Sequence, residues 1–197
     1  MNDALIRKSF HRKKLCKYHK SSKALVIDEL GLKHGMCRAD IAVINGHLIA
    51  YEIKSDEDSL RRITKQVNAY NAVFDRATVI VGQRHLKNIE KHIPNWWGII
   101  AASTGQYGAV HFKTERPASW NQSTDNYSVA QLLWKKEVEE ELAKRGLQGR
   151  FLRQKRSVLY KTLLEAIDSR ELRKVVMNRL KNRTDWRYPA QPFLHDG

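Results

Sequence analysis

The clearest hydrophobic pattern in the chain is a pair of apolar runs, RADIAVI and HLIAYEIK, joined around Asn45 and Gly46. Both runs are rich in β-branched residues, and an Asn-Gly pair between two such runs is typical of a β-hairpin. Residues on both sides of these strands are mostly apolar, so we expect a sheet that is covered on both faces. The pattern therefore predicts two central strands over residues 38–54.

Other segments predict the elements around this hairpin. Residues 22–32 are predicted to form a helix, because Ser21 or Ser22 can cap its start and Gly31 can end it. The later periodicities predict a long amphipathic helix over 58–74, a strand over 76–82, a helix over 85–93, and strands over 96–103 and 108–114. This order predicts an α/β fold in which helices flank a mixed β-sheet.

The domain organisation follows from the same pattern and from composition. Residues 1–21 read as a basic N-terminal arm that is either a short helix or mobile. The remaining units are an α/β core over 22–113, a polar linker or surface loop over 114–128, a basic helical region over 129–187 and a tail over 188–197.

Charge is concentrated at the two ends of the chain. The net charge is +15, with a pI of about 9.9. Residues 1–23 hold eight Lys or Arg against one acid, and residues 144–187 hold fourteen against four. This layout favours a polyanionic partner such as nucleic acid, although solubilising surface charge is the alternative. Phosphate contacts are predicted around the glycine-marked turn of the helical region, at Arg150, Arg153, Lys155, Arg156 and Lys161.

Cysteine usage and hydropathy bear on the compartment. The two cysteines, Cys16 and Cys37, form no CxxC motif or disulfide framework. The first residues lack an apolar signal-peptide core, and no apolar run approaches the length of a membrane span. We expect a cytoplasmic protein without a membrane partner.

Candidate chemistry lies on the hairpin itself, at Asp40, Glu52 and Lys54. A carboxylate inside an apolar strand is costly unless a metal ion or a proton compensates its charge. Glu52 and Lys54 are two residues apart on one strand, so their side chains point to the same side.

The length of the hairpin loop decides whether Asp40 joins Glu52. A two-residue turn would leave the two carboxylates on opposite faces. A three-residue loop, 45–47, pairs Ile44 with Leu48 and sets Asp40 directly opposite Glu52, with side chains about 5 Å apart. A shared site therefore predicts the longer loop, with its glycine in the left-handed conformation.

Two carboxylates at that separation suit Mg²⁺ or Mn²⁺, because these ions prefer oxygen ligands. The carbonyl of Ile53 is a candidate third ligand. A bound ion polarises a phosphodiester and lowers the pKa of a coordinated water. Lys54 would stabilise charge that develops on the phosphoryl group and help to position or deprotonate the water.

The order Glu29, Asp40, Glu52-Ile53-Lys54, Gln66 resembles the PD-(D/E)XK, or restriction-endonuclease-like, nuclease superfamily. Within it, the segments ELGL, RADIAVINGHLIAYEIKSDEDSL, QVNAY and VGQRHL are similar to a family of small bacterial and phage proteins. The resemblance implies that Glu29 supports the metal or orients water and that Gln66 organises the substrate or the site. Asp28 competes with Glu29 for its role, and the proline of the motif's name is absent.

These features predict a metal-dependent nuclease that hydrolyses phosphodiester bonds, with DNA a better substrate than RNA. Repair, mobile-element and defence processes are its expected settings. One alternative is a module on a nuclease scaffold that binds nucleic acid or a partner without turnover. Another is a nuclease that acts only with a protein partner. One site per chain would require a homodimer to cut both strands at once.

Overall fold

The computed structural model describes residues 1–147 and 149–184. Its centre is one six-stranded sheet whose spatial order follows the chain order. Strands β3, β4 and β5 are parallel, and the other neighbours are antiparallel. The strands are β1 (Leu25–Leu32), β2 (Cys37–Ile44), β3 (Leu48–Lys54), β4 (Arg76–Gly82), β5 (Gly98–Thr104) and β6 (Val110–Arg116). This arrangement confirms the predicted α/β fold with a mixed sheet.

The hairpin between β2 and β3 has the three-residue loop that a shared carboxylate site requires. Ile44 pairs with Leu48, and the register continues to Ile41 opposite Tyr51. Gly46 has a φ of 70°, a left-handed conformation that glycine adopts without steric cost. The predicted register is therefore confirmed for the paired residues.

The helix predicted for residues 22–32 is wrong, because this segment forms strand β1. It pairs with β2 from Leu25 opposite Ile44 to Leu32 opposite Cys37. Main-chain hydrogen bonds along the open edge of the hairpin, together with burial of Ile27, Leu30 and Leu32, override the helix-like spacing. Glu29 consequently lies on a strand rather than on a helix.

Helices lie on both faces of the sheet. On the first face, residues of the basic N-terminal segment, such as Ile6 and Phe10, pack with Ile41 and Ile53 in one apolar cluster. The sequence left this segment as either a short helix or a mobile arm, and residues Asp3–Lys13 are a helix that packs against the sheet. The helices are α1 (Asp3–Lys13), α2 (Cys16–His19), α3 (Ile63–Asn71), α4 (Gln83–Leu86), α5 (Asn126–Ala130), α6 (Lys135–Ala143), α7 (Arg156–Ala166) and α8 (Ser169–Asn182).

The second face is covered by α3 and by the C-terminal helices. Tyr70 of α3, Leu163 of α7 and Val176 of α8 belong to the same buried cluster as Ala50 of β3. The basic helical region therefore shares the core of the sheet. The buried Asn121, in the segment predicted as a linker, donates to the carbonyls of two core-flanking residues, Asn71 and Phe74.

Two boundaries of the predicted organisation need comment. Residues 114–116 belong to β6 rather than to the loop that follows it. The last part of the basic region, 185–187, and the tail 188–197 lie outside the described residues. Within the described ranges, no helix has the length and apolar character needed to cross a membrane.

Candidate functional site

Three carboxylate residues lie in a row across neighbouring strands. The pairs on either side of Glu29, Asp28 with Ile41 and Leu30 with Ala39, place Glu29 opposite Asp40. The last pair of β2 and β3 is Ile41 with Tyr51, and the same register places the next two residues, Asp40 and Glu52, opposite each other. Antiparallel strands set such residues side by side on one face. The fold thus brings the three predicted acids together.

Asp40 lies where regular pairing between β2 and β3 stops. Its Oδ2 accepts a hydrogen bond of 2.7 Å from the main-chain N–H of Ile53, and its own N–H donates to the Tyr70 hydroxyl at 3.1 Å. From the other face, Arg7 of α1 donates to the Asp40 carbonyl at 2.5 Å and lies 3.5 Å from Oδ1. Burial raises the pKa of Asp40 despite these contacts.

Glu52 is completely buried, and three side chains hold its carboxylate. The Lys54 ammonium is 2.6 Å from Oε1, which also accepts a hydrogen bond from the Gln66 amide. The Tyr70 hydroxyl donates to Oε2. Burial and the charge of Asp40 nevertheless raise the pKa of Glu52 to about 7. The network therefore leaves negative charge incompletely compensated.

Glu29 stands at the outer end of the row. Its φ of 56° is unusual for a residue with a side chain. Its carboxylate is half exposed and contacts Arg7 at 3.1 Å and Arg38 at 3.9 Å. Burial raises its pKa. The competing candidate, Asp28, instead accepts a hydrogen bond from His11 at 2.9 Å, outside this network.

Two members of the network escaped the sequence analysis. Tyr70 reads as part of the apolar stripe of α3, although it follows Gln66 by one helical turn and so faces the same strand. Arg7 lies in the basic arm, and no sequence signal separates it from the other cations there. Tyr70 joins Glu52 to the main chain of Asp40, and Arg7 joins Asp40 to Glu29.

The donor set can be compared with the needs of a divalent ion. Within residues 1–147 and 149–184, no three His, Cys, Asp or Glu side chains converge as a preformed metal site. Two observations nevertheless fit an ion or its coordinated water. In the part of the chain that the structure describes, the buried Oε1 of Gln66 has no hydrogen-bond partner, although its amide nitrogen contacts Glu52. The raised pKa values of Asp40 and Glu52 indicate carboxylates that added positive charge would stabilise.

An open cleft of about 600 Å³ leads to these residues. Glu29, Asp40 and Gln66 line it together with four basic side chains. The four basic side chains, called here the cleft rim, suit a polyanion that must approach carboxylates. The basic residues are Lys33, Arg38, Arg62 and Lys65.

The five basic residues predicted to contact phosphate are all exposed. Arg150 and Arg153 lie in a 3-10 turn, Gly149–Arg153, which precedes α7. Lys155 caps α7, which carries Arg156 and Lys161. None of the five forms an ion pair with an acid in the described part of the chain. They remain available to an external anion.

Comparisons with known proteins identify one family. Residues 11–190 match the family described as "Bacteriophage P4 protein cII". "Protein cII" of Enterobacteria phage P4 is 26% identical over 166 residues, which are 82% of this chain and 60% of that relative. The chain thus spans less than two thirds of this relative's length. No solved structure matches the chain. Neither description states a reaction or a ligand.

Proposed function

This chain belongs to the bacteriophage P4 protein cII family, and from that starting point we propose that it is a divalent-metal-dependent nuclease of the PD-(D/E)XK kind. The observation that carries the proposal is the row of Glu29, Asp40 and Glu52 across three strands, with Lys54 beside it. Glu29 and Asp40 line the basic cleft, Glu52 is buried next to Asp40, and such a row of acids is costly in a purely structural site.

Asp40 and Glu52 would hold Mg²⁺ or Mn²⁺, with the Ile53 carbonyl as a further oxygen ligand. When bound, the ion would polarise the phosphodiester and lower the pKa of a coordinated water. Lys54 stabilises charge that develops on the phosphoryl group. Gln66 orients water through its unpartnered Oε1, and Glu29 supports the site from the outer strand.

Nucleic acid is the proposed substrate because the cleft rim is basic and α7 begins with exposed cations. These groups would contact phosphates and so contribute affinity without reading sequence. We propose DNA rather than RNA as the main substrate, with cytoplasmic repair, mobile-element or defence processes as the setting.

The test is cleavage of linear, circular and single-stranded DNA and of RNA, each with Mg²⁺, Mn²⁺ or EDTA. We expect the wild-type protein to cleave DNA only with a metal ion. Asp40→Ala, Glu52→Ala and Lys54→Ala should each reduce the rate at least 100-fold, since each removes a group that acts on the reacting phosphate. Circular substrate distinguishes internal cuts from attack at ends.

Glu90→Ala is a matched control, because Glu90 is an exposed acid that does not line the cleft and, among the described residues, forms an ion pair only with Arg116, at 3.7 Å. It should cleave at the wild-type rate. Unfolding temperatures of all variants separate loss of catalysis from loss of fold. Absence of metal-dependent cleavage by the wild type, or full activity in the Glu52 variant, would contradict the proposal.

A second candidate function is nucleic-acid binding without turnover. It is favoured by the cations already placed at the acids, since Arg7 contacts Glu29 and Asp40 while Lys54 contacts Glu52. This candidate predicts tight, salt-sensitive binding of DNA that a divalent ion does not change. A metal titration monitored by calorimetry distinguishes it from the nuclease, which must bind the ion.

A further inference from the structure

A second depression, of about 320 Å³, adjoins the acidic cleft. Gly35 lines both of them. Consecutive residues of the same segment face opposite sides: Glu29 and Lys33 line the cleft, whereas Leu30 and His34 line the second depression. The end of β1 and the turn after it are therefore a thin wall between two neighbouring sites.

The turn that forms this wall is held in an unusual conformation. Lys33, His34 and Gly35 have φ values of 47°, 57° and 87°. Non-glycine residues adopt such angles only where their surroundings impose them. His34 is held by a stacked contact with Tyr160, with ring centroids 5.6 Å apart and planes inclined by 26°. The wall is thus fixed against α7.

The second depression contains an exposed aromatic surface. Trp134, which caps α6, is 49% exposed even though it lines the depression. The Arg183 guanidinium lies 4.2 Å from the centre of its ring and is itself tied to Glu137. Glu137 also accepts a hydrogen bond of 2.7 Å from the Trp134 main chain. Arg183 therefore packs over part of the indole, and about half of the residue's surface remains exposed for a further ring to stack on.

Positive charge lies beside this platform. Arg156, at the start of α7, lines the same depression and has no acidic partner among the described residues. Lys135 lines it as well, although its ammonium lies 3.4 Å from Glu139. An aromatic ring and a guanidinium that has no acidic partner in the described part of the chain line one depression, and they match the two parts of a nucleotide, a flat base and a phosphate.

We propose that this depression, named here the Trp134 pocket, binds an unpaired nucleobase of a single-stranded extension whose duplex lies in the acidic cleft. The base stacks on Trp134, and Arg156 contacts the adjoining phosphate. The proposal rests on one part of the proposed function, the binding of nucleic acid in the cleft, because the cleft must hold the rest of the same molecule. It adds a substrate class: duplexes with single-stranded ends rather than blunt duplexes.

The test measures binding of fluorescent DNA in EDTA, so that no turnover is needed. A blunt duplex is compared with the same duplex bearing a six-nucleotide single-stranded extension. The wild-type protein should bind the extended duplex more tightly. Trp134→Ala should weaken that binding roughly tenfold, since stacking on an aromatic ring contributes on that scale. Its affinity for the blunt duplex should stay unchanged.

Two variants complete the design. Trp134→Phe keeps an aromatic face and should retain most of the preference. Trp120→Ala is the matched control, because Trp120 is 44% exposed but packs near His47 and Arg76, outside the pocket. It should behave as the wild type. The unfolding temperature of each variant confirms that the chain is folded.

Each outcome is decisive. Loss confined to the extended duplex in Trp134→Ala supports the pocket. Equal wild-type affinity for both duplexes, or equal loss for both in the variant, overturns it and leaves the proposed nuclease standing. Failure to bind either duplex overturns the pocket, while the metal-dependent cleavage test decides the nuclease proposal separately. If the extension is preferred through Trp134 but no metal supports cleavage, the pocket stands and the nuclease proposal fails.

Discussion

At the scale of single residues, Arg7 compensates the charge of two acids of the row, Glu29 and Asp40. Its guanidinium contacts both Glu29 and Asp40, and burial alone would lower its pKa. The charges of Asp3 and Asp40 outweigh that effect and raise it, so Arg7 stays charged. A cation placed in this way partly substitutes for an ion bound by the same carboxylates, and the two should compete.

Arg7→Gln is therefore expected to bind Mn²⁺ several-fold more tightly than the wild type, because Asp40 Oδ1 loses its competing cation. In EDTA the same variant should unfold at a lower temperature, since Glu29 and Asp40 then repel each other without compensation. Calorimetric titration and thermal unfolding measure the two effects. Arg12→Gln, an exposed position on the same helix, should change neither. Equal Mn²⁺ affinity in wild type and Arg7→Gln would contradict the competition.

The residues at the centre of the site could be predicted from the sequence, whereas their supports could not. Asp40 and Glu52 stand out because acids are rare inside apolar strands. Tyr70 and Arg7 contact acids that are far from them in the sequence. A tyrosine is ordinary in an apolar stripe, and an arginine is ordinary in a basic arm. Only the packing of α1 and α3 against opposite faces of the sheet reveals them.

At the scale of elements, local sequence signals predicted the β2–β3 hairpin correctly. They failed for β1, where pairing with a neighbouring strand decided the structure. The β2–β3 hairpin carries its own turn residues, so its register followed from the sequence. Strand β1 has a helix-like spacing of apolar residues, but the edge of β2 offers it main-chain partners. Correcting this error moves Glu29 from a helix to a strand. Glu29 still lies near Asp40, because β1 and β2 are adjacent.

Among the helices, α6 and α8 are joined by a cluster centred on Glu141. This carboxylate is almost buried and lies 2.9 Å from Lys144 and 3.2 Å from Arg145, and it also pairs with Arg179 of α8. Burial by itself would raise the pKa of Glu141. The hydrogen bonds from Lys144, Arg179 and Arg145 outweigh it and lower the pKa to about 2.

This lowered pKa predicts a pH-dependent contribution of Glu141 to stability. The ionised group stabilises the folded chain above its ordinary pKa of 4.5, by about 3 kcal/mol, and this stabilisation is lost as the pH falls towards 2. Glu141→Gln should therefore be destabilised at pH 7, and its deficit should shrink below pH 4.5. Urea unfolding at several pH values measures the difference. Glu139→Gln, which removes a surface pair with Lys135, should cost less than about 0.5 kcal/mol. A deficit that does not vary with pH would refute this assignment.

At the scale of the whole molecule, the folded chain redistributes its charge. The middle of the sequence is nearly neutral in sum, yet it contributes all four basic residues of the cleft rim. The basic ends lie on opposite faces of the sheet, since α1 covers one face while α7 and α8 cover the other. The positive surfaces that matter for a polyanion are thus defined by the fold rather than by runs in the sequence.

The turn before α7 is the surface where a contact with nucleic-acid phosphates is most easily tested. Arg153 and Lys155 are exposed and lack acidic partners among the described residues, so each can release one counterion on binding a phosphate. Replacing both with Gln should weaken DNA binding about tenfold near 0.1 M salt and reduce the slope of log K against log salt by about 2. Lys87→Gln with Lys91→Gln removes the same charge from exposed positions outside the cleft and the Trp134 pocket. An identical slope for the two double variants would mean that net charge alone attracts the DNA; a smaller slope only for the first would make the turn a contact surface.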